Sequence, residues 1–308
     1  MNFTSYYKKK AIWINTLFLT LLVGTTACSN KNASNESLLT QAVDTTAAVS
    51  KISDQAIGDI IRSIPSPIEI SMLIKESGGE YNAQMLNPTS NMANYNTNFK
   101  RALNLGIYGT DLGYINIYSK SKDALVYLEA IKSMADALSI GQFYDFETIR
   151  RLATNSNNVD SLLFITTSNF EKINEYLHKE KRSDQSVLLL TGGWLEAVYI
   201  SCSVAEKTKN KELYEKIGEQ KIVLDQLLLL LSNFSKDENI HHLNLQLMEL
   251  HKIYSKIEIT YTYKESSMKE VNGVLVIEDE SESKVNITDA QVTEIMKQVT
   301  AIRNKIST

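Results

Sequence analysis

Chain breakers are scarce, with 3 prolines and 12 glycines in 308 residues. So few interruptions argue against many short strands and turns and for long helices. Cysteine is nearly missing: Cys28 and Cys202 are the two present, which excludes a disulfide framework. No two of His241, His242 and His251 stand three or four residues apart, the spacing that would clamp a metal from one helix face. His-Glu-x-x-His, Gly-x-Ser-x-Gly, the P-loop and the dinucleotide fingerprint are all missing. The sequence therefore names no metal ligand, no cofactor and no catalytic residue. The net charge is −4, and no basic patch with interleaved aromatics occurs, so nucleic acid is not an expected partner. Long hydrophobic runs are lacking as well. Ala11–Val23 is 13 residues, broken by Asn15, Thr16 and Thr20, whereas spanning a bilayer takes about 20. The leucines from Leu227 to Leu231 are shorter still and read as a core helix.

What is present begins at the N-terminus. Lys8, Lys9 and Lys10 precede the apolar run, and Gly24-Thr25-Thr26-Ala27 follows it, directly before Cys28. A positive start, a short apolar segment and small residues before a cut make a secretory signal. The pattern resembles a lipobox, in which signal peptidase II cuts before a diacylated cysteine. Thr25 departs from the usual Leu, and Ala27 fits. Residues 1–27 are thus expected to be a signal peptide and Cys28 the lipidation site and membrane anchor. Ordinary secretion and a retained anchor are the alternatives. Residues 28–39 are a polar tether, with nothing apolar larger than Ala from Ser29 to Asn35, too little to bury and fold. No Asp follows Cys28, which favours the outer membrane over inner-membrane retention. Lipidation leaves Cys202 single, within Val198–Val204, where it reads as a small buried hydrophobe.

Residues 40–308 are expected to form a single all-α domain, a multi-helix bundle. The pattern predicts helices over 40–62, 67–77, 97–119, 121–139, 145–154, 158–181, 184–208, 210–232, 237–263 and 288–306. Ser66-Pro67-Ile68-Glu69, Ser235-Lys236-Asp237-Glu238 and Thr288-Asp289-Ala290-Gln291 carry N-terminal capping signals. Gly78–Asn96 reads as a long surface loop. Residues 265–287, with Asn272-Gly273, Val274–Ile277 and an acidic run, read as an irregular insert with one short hairpin.

Two stretches echo one another. Asp111-Leu112-Gly113-Tyr114-Ile115, Lys120-Ser121-Lys122-Asp123 and Tyr127 match Glu196-Ala197-Val198-Tyr199-Ile200, Lys207-Thr208-Lys209-Asn210 and Tyr214. The displacement is 85 residues at the acid and 87 at the last tyrosine. This suggests two related helical hairpins, 97–139 and 184–232, joined in a compact bundle rather than a superhelix. Chance likeness between amphipathic helices is the alternative.

The helix over 97–119 is apolar nearly all round and should be central. Gly106, Gly109 and Gly113 fall on one stripe, either for a close helix crossing or as room for a ligand. Asp111 lies on the opposite face, in surroundings too apolar for a bare carboxylate, so it needs donors or a proton. Tyr114, one turn on, is a candidate donor. Glu196 repeats the situation, with Trp194 before it and Tyr199 one turn after. If both acids face one interior pocket, Asp111, Tyr114, Trp194, Glu196 and Tyr199 form a candidate ligand site. Otherwise each acid simply ties down a neighbouring helix.

Ser66-Pro67-x-Glu69, Leu86-Asn87-Pro88, Tyr95, the run from Lys100 to Tyr114 and the tail Ile302-Arg303-Asn304-Lys305-Ile306 resemble a group of α-helical lipoproteins of Bacteroidota. The resemblance implies an envelope location and a helical fold, and carries no activity. The functional expectation is a membrane-tethered, non-enzymatic binding or interaction module for an unidentified protein or small molecule. An enzyme or small-ligand receptor using the acidic interior, and a purely structural scaffold, are the alternatives.

Overall fold

Helix starts in this chain are marked by short polar side chains, and the computed structural model shows where those signals take hold. It describes residues 52–64, 73–153, 159–263, 267–271, 274–278 and 282–308. The expected signal peptide, Cys28, the tether, the Ser66–Glu69 capping signal and the Asn272-Gly273 turn lie outside them.

Helix α1 spans Asp54–Ser63, with Ser53 Oγ accepting from the Ala56 amide. Helix α2 is Asn98–Ile117, capped by Thr97. Helices α3 (Ser121–Ala137), α4 (Phe146–Ala153), α5 (Val159–Lys179) and α6 (Ser183–Thr208) follow. Helix α7 is Lys211–Ser232, capped by Asn210, and α8 is Glu238–Tyr254. Helix α9, Asp289–Ser307, starts with the full reciprocal capping box of Thr288 and Gln291. The α8 cap departs from expectation: Asp237, not Ser235, accepts from the Asn239 and Ile240 amides. A carboxylate there also faces the positive end of the helix dipole. With glycine scarce, left-handed turns fall on Ser119, Ser139, Lys181 and Lys209, at φ between 53° and 57°.

The helix expected over 237–263 is shorter. It stops at Tyr254, and Glu258–Thr262 is strand β1, paired with β4 (Glu282–Asn286). Ile257, Ile259 and Tyr261 alternate with polar residues, a period of two that suits a pleated strand. Strands β2 (Ser267–Val271) and β3 (Val274–Glu278) form the expected hairpin, antiparallel from Ser267 opposite Glu278 to Val271 opposite Val274. The chain divides into a helical body, residues 51–261 with 283–308, and a second unit, residues 1–50 with 262–282, in which the β2–β3 hairpin is described.

Within the body, the bundle is all-α and centres on α2 and α6, which share the most extensive helix pairing. Fifteen of the 20 residues of α2 are buried, so the helix has no solvent face. Helix α6 is long and apolar enough to cross a membrane, yet most of it is buried inside the bundle. It is a core helix of the body by the same logic that makes α2 apolar all round. Their crossing needs glycine on both sides. A Cβ on Gly106 would collide with the Leu189 carbonyl oxygen, and one on Gly192 with that of Leu103. The contact is reciprocal: residues 103 and 106 meet residues 189 and 192, each pair displaced by 86. That value sits between the displacements of the sequence echo. Helix α9 packs on α6, α8 and α2, and its apolar residues Val292, Ile295, Val299, Ile302 and Ile306 are buried.

Candidate functional site

The two acids singled out by sequence meet in the middle of the body. Asp111 on α2 and Glu196 on α6 are each 0% exposed. A third residue, Arg303 on α9, joins them. Its Nε and Nη2 donate to Glu196 Oε2 and Oε1 at 2.5 and 2.7 Å, and Nη2 also reaches the Met85 carbonyl at 2.9 Å. This two-pronged charge-assisted pair is the strongest form of side-chain hydrogen bonding available to a carboxylate. The guanidinium carbon lies 4.3 Å from the centre of the Tyr199 ring, so Tyr199 supports the cation through its π-face.

Two acids and one base share this interior. Burial, first, and then the Glu196 carboxylate push the Asp111 carboxyl well above the usual carboxylate range, with Arg303 and the Asn87 amide opposing. Burial of this kind favours the neutral form of the carboxyl. Its Oδ2 accepts from the Asn87 amide at 3.1 Å, while Oδ1 has no hydrogen-bond partner among the described residues.

The segment over 78–96, expected as a surface loop, supplies much of this network and is interior in its middle. Met85, Leu86, Asn87 and Tyr95 are buried. Asn87 spends its polar atoms completely: Nδ2 donates to Tyr95 Oη and Asn104 Oδ1, Oδ1 accepts from Asn91, and its carbonyl accepts from Tyr127. Asn104 Nδ2 and Tyr95 Oη then donate to the Ile306 and Ser307 carbonyls, which the end of α9 leaves without intrahelical partners. Tyr114 does not bond to Asp111. Its hydroxyl donates to the Glu80 carbonyl and accepts from the Asn82 amide. Trp194 turns away toward α7, donating to Gln220 Oε1 at 3.0 Å. Of the five expected residues, Asp111, Glu196 and Tyr199 come together around Arg303; Tyr114 and Trp194 serve elsewhere.

Arg303 is the participant the sequence reading missed. Its signal was there: it sits four residues after Val299, beside Ile302 and Ile306, as the one charged residue on the buried stripe of α9. A cation on such a stripe needs a buried anion.

On the opposite face of α2 lies a different feature. A cavity of about 150 Å³ opens between α1, α2, α3, α5 and α6, and neither Asp111 nor Glu196 lines it. Its floor is the glycine stripe. At Gly106 the stripe is filled by the α6 backbone, whereas a Cβ on Gly109 would meet nothing within 4 Å. The two roles weighed for these glycines therefore divide along one helix. Leu105, Leu128, Ile131 and Phe170 give the cavity an apolar wall, with Asn174 among its few polar groups.

Cys202 is fully buried, and burial pushes its thiol far up, so it is an inert packing residue. His251 Nε2 lies 2.8 Å from Asp225 Oδ1 on the surface. Among the described residues no group of three or more His, Cys, Asp or Glu side chains converges as a metal site would require. No protein-family model, no curated protein and no solved structure matches this chain.

Proposed function

We propose that this chain is a membrane-tethered envelope lipoprotein of the helical kind exported by Bacteroidota, and that its body is a non-enzymatic binding or interaction module. The observation that carries the reading is the order of residues around Cys28: three lysines, 13 apolar-rich residues, four small residues, the cysteine, then a polar tether. A diacyl group on Cys28 would hold the body at a membrane, the outer membrane in preference. The partners are then the lipid surface and a protein or small molecule, with nucleic acid disfavoured by charge.

The acid cluster supports binding over catalysis. A general acid or base must reach the proton it transfers on a substrate, and here both carboxyls are closed off, with Glu196 engaged by Arg303. Their chemistry is that of a lock joining α2, α6, α9 and the segment around Asn87. The same lock favours the second reading, a purely structural scaffold.

Fractionation of cells expressing the wild type and Cys28→Ser tests the anchor. The wild type should sediment with membranes and the variant should appear in the soluble envelope fraction. A Cys28→Ser chain that still sediments with membranes contradicts lipid tethering.

A further inference from the structure

The geometry points to the cavity beside Gly109 as a binding site for a small, uncharged, mostly apolar molecule that carries one hydrogen-bonding group, on the scale of a phenol. The inference deepens the binding-module reading and rests on it.

Three observations meet there. The first is space at a backbone that could have been filled. Gly109 lies inside helix α2, where glycine weakens the helix relative to alanine, and nothing would obstruct a Cβ at that position. Close packing explains Gly106 and does not explain Gly109.

The second is size and wall chemistry. At about 150 Å³, with leucine, isoleucine and phenylalanine around it, the cavity is on the scale that admits a benzene-sized guest. Such a hole in a packed interior forgoes dispersion contacts that a guest would restore.

The third is a polar group without a partner. Asn174 on α5 is only 5% exposed, lines the cavity, and makes no hydrogen bond with any described residue. Its polar atoms are not among the sealed unpartnered ones, so they keep some accessible surface. A carboxamide bordering a mostly apolar cavity can donate and accept at once. A hydroxyl on an apolar guest answers both capacities. Thr110, the other polar side chain on the floor, already donates to the Gly193 carbonyl at 3.1 Å, which leaves Asn174 as the selecting group. Charge is not selected. Arg62 and Glu171 line the cavity with opposite signs, and Arg62 is already paired with Asp59. A charged guest would lose hydration without gaining a counter-ion of its own.

The test is ligand-observed 19F NMR on the full chain in lipid nanodiscs, with fluorobenzene and 4-fluorophenol as probes and empty nanodiscs as the control. Detergent is avoided because its tails would compete for the cavity. Both probes should bind saturably at one site, with 4-fluorophenol at least tenfold tighter. Asn174→Leu should erase that preference while fluorobenzene still binds. Gly109→Leu, whose side chain occupies the space, should abolish binding of both, with an unchanged helical circular dichroism spectrum. If Gly109→Leu does not fold, the Asn174→Leu comparison decides alone. Absence of saturable binding above the control overturns the proposal, as does a phenol preference that survives Asn174→Leu, or wild-type binding in a folded Gly109→Leu. A chain found unacylated would refute the anchor and leave this titration standing. A failed titration on an acylated, membrane-bound chain would refute the cavity site alone.

Discussion

Arg303 contributes one cation to an interior that holds two carboxyls, and that imbalance governs how single substitutions there should behave. Arg303→Met leaves Glu196 buried without its counter-ion, a loss of about 3–5 kcal/mol by analogy with other broken buried pairs, measurable by denaturant unfolding. Asp111→Asn should behave differently. Burial and the Glu196 neighbour favour the neutral form of Asp111, so an isosteric amide that still accepts from the Asn87 amide should cost under about 1 kcal/mol. Asp111→Ala strands that buried amide and should cost about 1–3 kcal/mol. The sign of the pH dependence follows. Unfolded, this carboxyl titrates near about 3.9; folded, it titrates higher. Between those values the folded state binds more protons than the unfolded one, so the contribution of Asp111 to stability is fully present at low pH and declines as pH rises toward the folded value. Wild-type stability measured against pH should show this decline, and Asp111→Asn should lack it. The sequence made both acids legible because each stands one turn before a tyrosine in an apolar helix. It left Arg303 unseen because its partner is 107 positions away, and side-chain pairing at that distance exists only after α9 has packed.

At the scale of the helix, α2 offers an internal comparison. Gly106→Ala would drive a methyl into the α6 backbone at Leu189 and Gly193. Backbone cannot swing aside as a side chain can, so the variant should lose about 1–3 kcal/mol or more. Gly109→Ala, three residues on, enters open space and gains helix propensity, so it should be neutral or stabilising by up to about 1 kcal/mol. Thermal unfolding of the two variants side by side checks the pair; equal losses would contradict the placement of the cavity. The positions of α2, α6, α7 and α9 were legible because their periodicity and caps agree along many residues. Strand β1 was not, because Ile257–Tyr263 continues an apolar-rich pattern whose period shifts from 3.6 to 2 without an intervening glycine or proline. The cavity was equally illegible: three glycines on a stripe say that something comes close or that something is missing, and only the position of α6 decides which holds at each.

At the scale of the whole chain, the helical body explains how so few glycines and prolines suffice: serines and lysines in left-handed turns end the helices instead. Its interior is held by a sealed ionic lock on one side of α2 and borders a cavity on the other. On the tether proposal, the segment before that body, outside the described residues, is what fixes it at a membrane. The most direct measurement is therefore the intact mass of the mature protein extracted from membranes. A chain beginning at Cys28 and heavier than its polypeptide by acyl groups is the expected result. A chain retaining Met1, or one beginning at Cys28 or elsewhere without added lipid, would contradict the proposal that the body is tethered to the envelope.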